Sequence, residues 1–311
     1  MKRVTSWTSL DNAARGASVA MGNFDGIHLG HQSVIDQARG RDAPLGVITF
    51  EPHPREFFAA RAGKTLPPFR LMSPESRANR LAKLGVDVLY ELPFNETLAD
   101  MSAEAFAREV LAEGLGVTHV AVGDDFRFGK GREGDTEMLV ELGRKYGYEV
   151  TIAPLLHVEG VEASSTAIRT ALAEGRPEDA AKMLGHLHRI DGAVLHGDKR
   201  GRDLGYPTAN MSVAGLHLPK LGVYAVKIDV LTGKHQGNYL GAASLGVRPM
   251  FGENTPNLET FIFDFKGDLY GEHVSVALVE YLRPEMKFDG LDALVAQMDA
   301  DCAKAREILA E

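Results

Sequence analysis

Two histidines three positions apart follow a run of glycines in Met21-Gly22-Asn23-Phe24-Asp25-Gly26-Ile27-His28-Leu29-Gly30-His31. Residues 17–21 read as a strand and 31–38 as a helix, so the string joins a strand to a helix N-terminus. Glycines at 22, 26 and 30 let the backbone turn tightly and approach a ligand closely. Two imidazoles at a helix N-terminus suit an anion, to which the helix dipole adds about 0.3–1 kcal/mol. Residue chemistry alone leaves a phosphate site and a solvated turn both open. A metal site would need further ligands, and no HExxH or neighbouring cysteine supplies them.

Three other stretches carry polar chemistry. In Ser164-Ser165-Thr166-Ala167-Ile168-Arg169 the small hydroxyls can cap a helix and donate to phosphate, and Arg169 adds a fixed fork. Gly197-Asp198-Lys199-Arg200-Gly201-Arg202-Asp203-Leu204-Gly205-Tyr206-Pro207-Thr208-Ala209-Asn210 sets a basic, glycine-rich loop before a short polar pair. Such a loop offers backbone N–H groups and positive charge to phosphate. Thr208 and Asn210 alternate along an extended segment and leave the same face, with neutral oxygens that suit Mg²⁺. Residue chemistry alone also leaves open, and favours, an ordinary β-turn with proline at a corner. Gly129-Lys130-Gly131-Arg132-Glu133-Gly134 matches the GxGxxG dinucleotide fingerprint. That fingerprint should join a strand directly to a helix, whereas here Asp124 to Phe128 intervene and no acidic residue follows about twenty positions later. It reads as a flexible basic loop.

Alternating strands and helices must position the first histidine string. Strands are expected at 45–50, 86–92, 119–123 and 149–153, with helices opening at Ser73-Pro74 and Ser102 and spanning about 136–146. This alternation predicts an α/β fold, a parallel sheet with helices on both faces, and places the string at the sheet's carboxyl edge. From Gly192 to Leu282 the pattern turns to short β-rich runs broken by glycine and proline, which predicts an antiparallel β-barrel. Leu291, Leu294, Val295, Met298, Cys302, Ala305, Ile308 and Leu309 form one stripe of a terminal helix that should pack on the barrel, Cys302 included as core. The pattern divides at about residue 184, giving domains 1–184 and 185–311.

Composition narrows the class of function. One cysteine in 311 residues excludes an internal disulfide framework. The opening residues lack an apolar stretch behind their two basic ones, so no signal peptide is expected, and no apolar run approaches a membrane span. A net charge of −9 argues against a general nucleic-acid binder. A cytoplasmic protein acting on small molecules, without nucleic acid or membrane, is expected, with oligomeric state open.

The histidine string closely resembles the GxFDGxHxGH signature of the nucleotidyltransferase superfamily. Phe50-Glu51-Pro52-His53-Pro54, Gly123-Asp124-Asp125-Phe126-Arg127-Phe128-Gly129 and the 164–169 stretch resemble motifs of bacterial bifunctional riboflavin kinase/FAD synthetases, in that family's order and at similar spacing. Gly-Tyr-Pro-Thr-Ala-Asn at 205–210 resembles the flavokinase motif, and the likeness runs over almost the whole chain. It implies an N-terminal nucleotidyltransferase-type domain that adenylylates FMN and a C-terminal flavokinase-type barrel that phosphorylates riboflavin. It implies that Gly22, Asn23, Phe24, Asp25, Gly26, Gly30, His53, Pro54, Asp125, Phe128, Ser164, Ser165 and Thr166 bind ATP and flavin in the first domain, with His28, His31 and Arg169 catalytic. In the second it implies binding roles for Gly197, Lys199, Gly201, Arg202, Gly205, Pro207, Asp268, Tyr270, Arg283 and Phe288. Thr208 and Asn210 would hold Mg²⁺ that arrives with ATP, and Glu259 would be the catalytic base. Riboflavin, FMN and FAD would be substrates and products rather than tightly bound cofactors.

Two departures mark this chain. Gly185-His186-Leu187-His188 stands where the family commonly has Gly-Arg-Pro and an aromatic, and Met250 stands where threonine often follows Arg-Pro. The first removes a guanidinium near the kinase entrance and bears on nucleotide or flavin affinity there. The alternatives are a single-activity adenylyltransferase with an impaired kinase domain, and a flavin-binding oxidoreductase or regulator.

Overall fold

Unbroken burial marks the central strands of the first half, as expected where helices cover both faces of a parallel sheet. The computed structural model describes residues 1–8, 10–196, 206–250 and 253–310, with 248–250 and 253–255 described through their backbone alone. Strands β1 (Lys2–Val4), β2 (Ser18–Met21), β3 (Leu45–Glu51), β4 (Val88–Pro93), β5 (His119–Gly123) and β6 (Glu149–Ala153) form one sheet in the order β1-β4-β3-β2-β5-β6. Every pairing in it is parallel. The chain winds one way from β2 through β3 to β4 and the other way through β5 to β6. A crevice therefore opens at the carboxyl ends of β2 and β5, where the chain direction reverses.

Helices α1 (Leu29–Ala38), α2 (Pro54–Arg61), α3 (Pro74–Lys83), α4 (Glu96–Ala99) and α5 (Ala103–Ala105, widening into a π-helix over Phe106–Leu115) connect these strands. Helix α6 (Thr136–Tyr146) is typical of how sequence sets their ends. Asp135 caps it by accepting from Met138 N–H at 2.9 Å, Leu139 and Leu142 bury its inner face, and Gly147 ends it at φ +86. Strand β1 and helix α2 were not legible from pattern. The first has three residues and the second buries none of its side chains, so neither carries a periodic apolar signal.

The GxGxxG segment is a tied turn and not a flexible loop. Phe128 and Gly134 exchange backbone hydrogen bonds of 3.1 and 2.9 Å, and Lys130 N–H donates to Met101 C=O at 2.8 Å. A Cβ at Gly129 would lie 2.6 Å from the Ala103 nitrogen, and one at Gly134 2.6 Å from the Phe128 ring. These glycines serve close packing.

The hairpin strands β7 (His157–Val158) and β8 (Val161–Glu162) precede two helices, α7 (Ser165–Glu174) and α8 (Pro177–Leu184). Strands β9 (Arg189–Ala193), β10 (Thr208–Ser212), β11 (Gly222–Val230), β12 (Gly237–Met250), β13 (Glu253–Ile262) and β14 (His273–Arg283) follow. They form an antiparallel sheet in the order β10-β13-β12-β11-β14-β9, and a Leu195–Asn210 bridge brings its two edges together as a near-closed barrel. Helix α9 (Leu291–Leu309) seats Ala305 and Leu309 on Ala225, Ala242 and Phe263 of the barrel. Burial lifts the Cys302 thiol to about 11, in keeping with a core role. The stripe is uneven: Leu291 is exposed at the helix start.

Contacts divide the chain into two compact units, residues 1–67 with 74–164 and residues 68–73 with 165–311. The change of pattern lies near residue 184, whereas contacts group α7 and α8 with the barrel. Lys220 N–H donates to Leu172 C=O at 2.8 Å, and α8 packs on β14. Among the described residues no helix is long and apolar enough to cross a membrane.

Two buried histidines predict how stability depends on pH. His119 lies between Ser18 Oγ (2.9 Å) and Thr151 Oγ1 (2.8 Å) in the first unit. Burial, then the nearby Arg41 charge, push its imidazole down to about 4. Burial, with His186 and His217 close by, pushes His188 down to about 3 in the second unit. Once unfolded, both titrate near 6.5, so as pH falls the unfolded chain takes up protons first. Stability is therefore full above pH 6.5 and declines below it by up to about 1.4 kcal/mol per pH unit for each group. Denaturant unfolding between pH 8 and 4 should show this slope, and His119→Gln should flatten it. An unchanged slope in that variant would count against a buried neutral His119.

Candidate active sites

The glycine–histidine string leaves β2 at the switch point and opens α1. Phe24 (φ +53) and Ile27 (φ +46) hold the left-handed conformation around Gly26 (φ +88), an arrangement that costs a non-glycine residue about 1–3 kcal/mol. Complete burial of both apolar side chains offsets that cost. His28 caps the helix, its Nδ1 accepting from His31 N–H at 3.2 Å, and the two rings stack with centroids 3.6 Å apart. A Cβ on Gly30 would lie 3.1 Å from His28 Nδ1 and 3.0 Å from Ala163 O, so glycine permits this packing. Burial, and His28 beside it, hold the His31 imidazole well below its ordinary pKa, and its Nδ1 is buried with no partner among the described residues. The result is a neutral His31 imidazole stacked on the His28 cap at a helix N-terminus.

A buried cation stands behind this loop that motif reading missed. Arg77 on α3 is 3% exposed; its Nη2 bonds Glu51 at 3.2 Å and Glu91 at 2.9 Å, while Nη1 reaches Asn23 C=O at 3.5 Å. Thr49 Oγ1 donates to the same carbonyl at 3.2 Å, and Arg3 also pairs with Glu91 at 3.1 Å. The only sequence signal was a charged residue on the buried stripe of α3, in line with Leu81. Arg77→Met would leave Glu91 buried with one partner removed, and such breaks cost about 3–5 kcal/mol. Urea unfolding should show a loss of that size; a loss under about 1 kcal/mol would mean that Arg77 does not hold the strand ends together.

The other residues expected around the first site are distributed as follows. His53 caps α2, accepting from Arg55 N–H at 3.1 Å, with Pro54 in its first turn. Asp25 is buried, Asp125 is exposed, and Phe128 lies in the core against Phe106 and Phe126. Gly22 N–H donates to Ile48 C=O at 3.1 Å. Ser164 belongs to the first unit, whereas Ser165, Thr166 and Arg169 belong to the second. There Arg169 reaches Phe69 C=O at 3.3 Å and Thr166 Oγ1 at 3.4 Å, and its own carbonyl accepts from His217 Nε2 at 2.9 Å.

In the barrel, register creates the constellation. Asn210 on β10 lies directly opposite Glu259 on β13, and Thr208 lies opposite Phe261. Directly paired residues point to the same side of a sheet. The interleaved Met211 and Leu258 are fully buried in the barrel core, so Thr208, Asn210 and Glu259 share the other face. Asn257, which motif reading also missed, donates from Nδ2 to Asn210 Oδ1 at 3.0 Å and to Glu259 Oε1 at 3.3 Å. Its signal was the two-residue spacing from Glu259, which places both on one face.

Pro207 precedes β10, and Tyr206 before it packs edge-on against Phe261 and donates to Asp299 of α9, a bond that raises its hydroxyl to about 12. Arg283 is held by Asp301 of α9, at 2.9 Å from Nε and 2.7 Å from Nη2, with Phe288 at 5.8 Å from the guanidinium. Asp268 Oδ1 accepts from Tyr270 N–H at 3.0 Å, and Tyr270 packs at a tilt against His196 with centroids 3.9 Å apart. Gly197, Lys199, Gly201, Arg202 and Gly205 lie outside the described residues, as does the Met250 side chain. In the 185–188 segment Gly185 ends α8 at φ +73, and the His188 carbonyl accepts from Leu278 N–H at 2.9 Å. His188 is thus a buried neutral residue at the entry to β9.

Comparison with known proteins matches both halves. A family model for FAD synthetase covers residues 10–167, and one for riboflavin kinase covers residues 184–309. The bifunctional riboflavin kinase/FMN adenylyltransferase of Pseudomonas fluorescens is 39% identical over 315 residues, spanning 100% of this chain and 98% of its own. The protein of the same description from Escherichia coli K12 is 38% identical over 99% of this chain and 97% of its own. A solved chain from Streptococcus pneumoniae, titled a macrolide-efflux protein, shares the fold at TM-score 0.82 and 32% identity, covering 98% of both chains.

Proposed function

Because this chain belongs to the bifunctional riboflavin kinase/FMN adenylyltransferase family, we propose a division of its two reactions among named residues. It phosphorylates riboflavin to FMN with ATP and transfers the adenylyl group of a second ATP to FMN, releasing pyrophosphate and forming FAD. The adenylyltransferase duties fall in residues 1–184 and the kinase duties in residues 185–311.

The pairing of Asn210 with Glu259 across β10 and β13 carries the kinase half. Riboflavin presents a neutral hydroxyl, so attack on the γ-phosphorus gains from a carboxylate that takes its proton, and we assign that role to Glu259. Such a base contributes about 10²–10⁴-fold. Thr208 and Asn210 offer a hydroxyl and an amide oxygen, hard neutral donors that fit Mg²⁺ entering with the nucleotide. Phosphate oxygens and water, the usual remaining ligands of Mg²⁺, would complete its shell. When bound, Mg²⁺ supplies charge neutralisation at the phosphates.

FMN already carries an ionised phosphate, and its oxygen can attack the α-phosphorus of ATP without a base. Positioning and relief of like-charge repulsion then govern the rate. His28 and His31 supply donors, and we assign Arg169, Ser165 and Thr166 to phosphate binding by the resemblance of their motif. The enzyme is placed in the cytoplasm, acting on free flavins and ATP without nucleic acid or membrane. Incubating the purified chain with riboflavin, ATP and Mg²⁺, and separately with FMN, ATP and Mg²⁺, tests this. Chromatography should resolve FMN and FAD from the first mixture and FAD from the second. FAD from FMN without FMN from riboflavin would instead support an impaired kinase.

A further inference from the structure

We infer that Asn257, which lies outside the motifs of the kinase site, is a positioning residue that locks Asn210 and Glu259 into one working geometry. This role rests on the kinase reading above. Asn257 sits two residues before Glu259 on β13, shares its face and is 9% exposed. Its single –NH₂ group has two protons, and the two acceptors at 3.0 and 3.3 Å are Asn210 Oδ1 and Glu259 Oε1. Neither bond belongs to the strand ladder, so both N–H donors of a buried amide go to two candidate functional side chains.

The network fixes which way Asn210 faces. Its Nδ2 donates to Thr208 C=O at 3.3 Å, and its Oδ1 accepts from Asn257. Rotating the Asn210 amide by half a turn would set two –NH₂ groups against each other and break both bonds. An amide oxygen has two lone pairs, so Oδ1 can accept from Asn257 and still bind a cation. The same –NH₂ restrains one Glu259 oxygen and so limits rotation of the carboxylate that must meet the riboflavin hydroxyl. Asn257 touches neither substrate nor metal in this scheme; it acts through the two residues that do.

Three substitutions in the full-length protein separate this role from simple packing. Asn257→Asp keeps the shape but cannot donate, Asn257→Leu keeps the volume without polarity, and Asn257→Ser keeps one donor. The readouts are kcat and KM for riboflavin phosphorylation, FMN adenylylation as an internal control, and ADP affinity by calorimetry with and without Mg²⁺. Hydrogen bonds to charged groups are worth enough that Asn257→Asp and Asn257→Leu should each lower kcat about 10–100-fold. KM for riboflavin and the adenylylation rate should stay within about twofold, since the lost interaction acts on the transferring group. The factor by which Mg²⁺ tightens ADP binding should fall about 10-fold in both variants, and Asn257→Ser should recover part of each loss.

Wild-type kcat together with an unchanged Mg²⁺ effect in Asn257→Asp would overturn the proposal while leaving the kinase reading intact. Parallel losses in kcat, riboflavin KM, adenylylation and thermal midpoint would also overturn it, because they describe a packing residue. A wild-type chain that forms no FMN from riboflavin would overturn the kinase reading and this role with it.

Discussion

Glu259→Gln is expected to lower riboflavin phosphorylation by about 10²–10⁴-fold, the typical worth of a positioned general base. The substitution preserves shape and the ability to accept from Asn257, whose amide lies 3.3 Å from Oε1, so the fold should stand. What it removes is the capacity to take a proton from the flavin hydroxyl as it attacks. Formation of FAD from supplied FMN should change less than about twofold, because that step has an ionised nucleophile and needs no base. Stopped-time assays with chromatographic separation of the flavins measure both rates. Asn210→Ala should give the same split, losing FMN formation and keeping adenylylation.

His28→Ala should produce the reverse split. One imidazole at the glycine loop caps α1 through His31 N–H at 3.2 Å and stacks on the His31 ring, and in the proposed reaction it presents a donor to phosphate. Removing a preorganised donor of this kind costs about 10²–10³-fold in rate. Adenylylation should fall by at least that much, while riboflavin phosphorylation persists in the barrel. Since the two rings stack, losing either disorders the other, and the His28→Ala/His31→Ala double variant should lose far less than the product of the single losses. Independent, multiplying losses would contradict a shared geometry.

The fold was legible where one kind of pattern ran long enough. The buried runs at β2 to β5 and the helix α6 stood out, and so did the turn from alternation to short β runs. The two candidate sites were legible wherever a motif packs several chemical requirements into a few positions. Gly26, Phe24 and Ile27 show why such strings are compressed: positive φ, apolar anchorage and a following helix cap must coincide within a few residues. Residues that act from another element left no such trace. Arg77 approaches Asn23 from α3, 54 positions away, and reads alone as an ordinary helical arginine. Asp299 and Asp301 read as the polar side of a terminal helix, yet they hold Tyr206 and Arg283. Arg283 carried a flavin-binding expectation by resemblance, and in this structure its guanidinium bonds Asp301. Long-range partners of this kind follow from strand order and helix docking, which no local window contains.

The view that one chain holds two separable active sites, with FMN as the product of one and the substrate of the other, is tested most directly by mixing two crippled proteins. Glu259→Gln and His28→Ala, each supplied alone with riboflavin, ATP and Mg²⁺, should form almost no FAD. Combined in equal amounts, they should make FAD from riboflavin after a lag in which FMN accumulates, the His28→Ala protein supplying FMN and the Glu259→Gln protein consuming it. A mixture that forms no FAD, although each variant keeps its one remaining reaction, would contradict two independent sites.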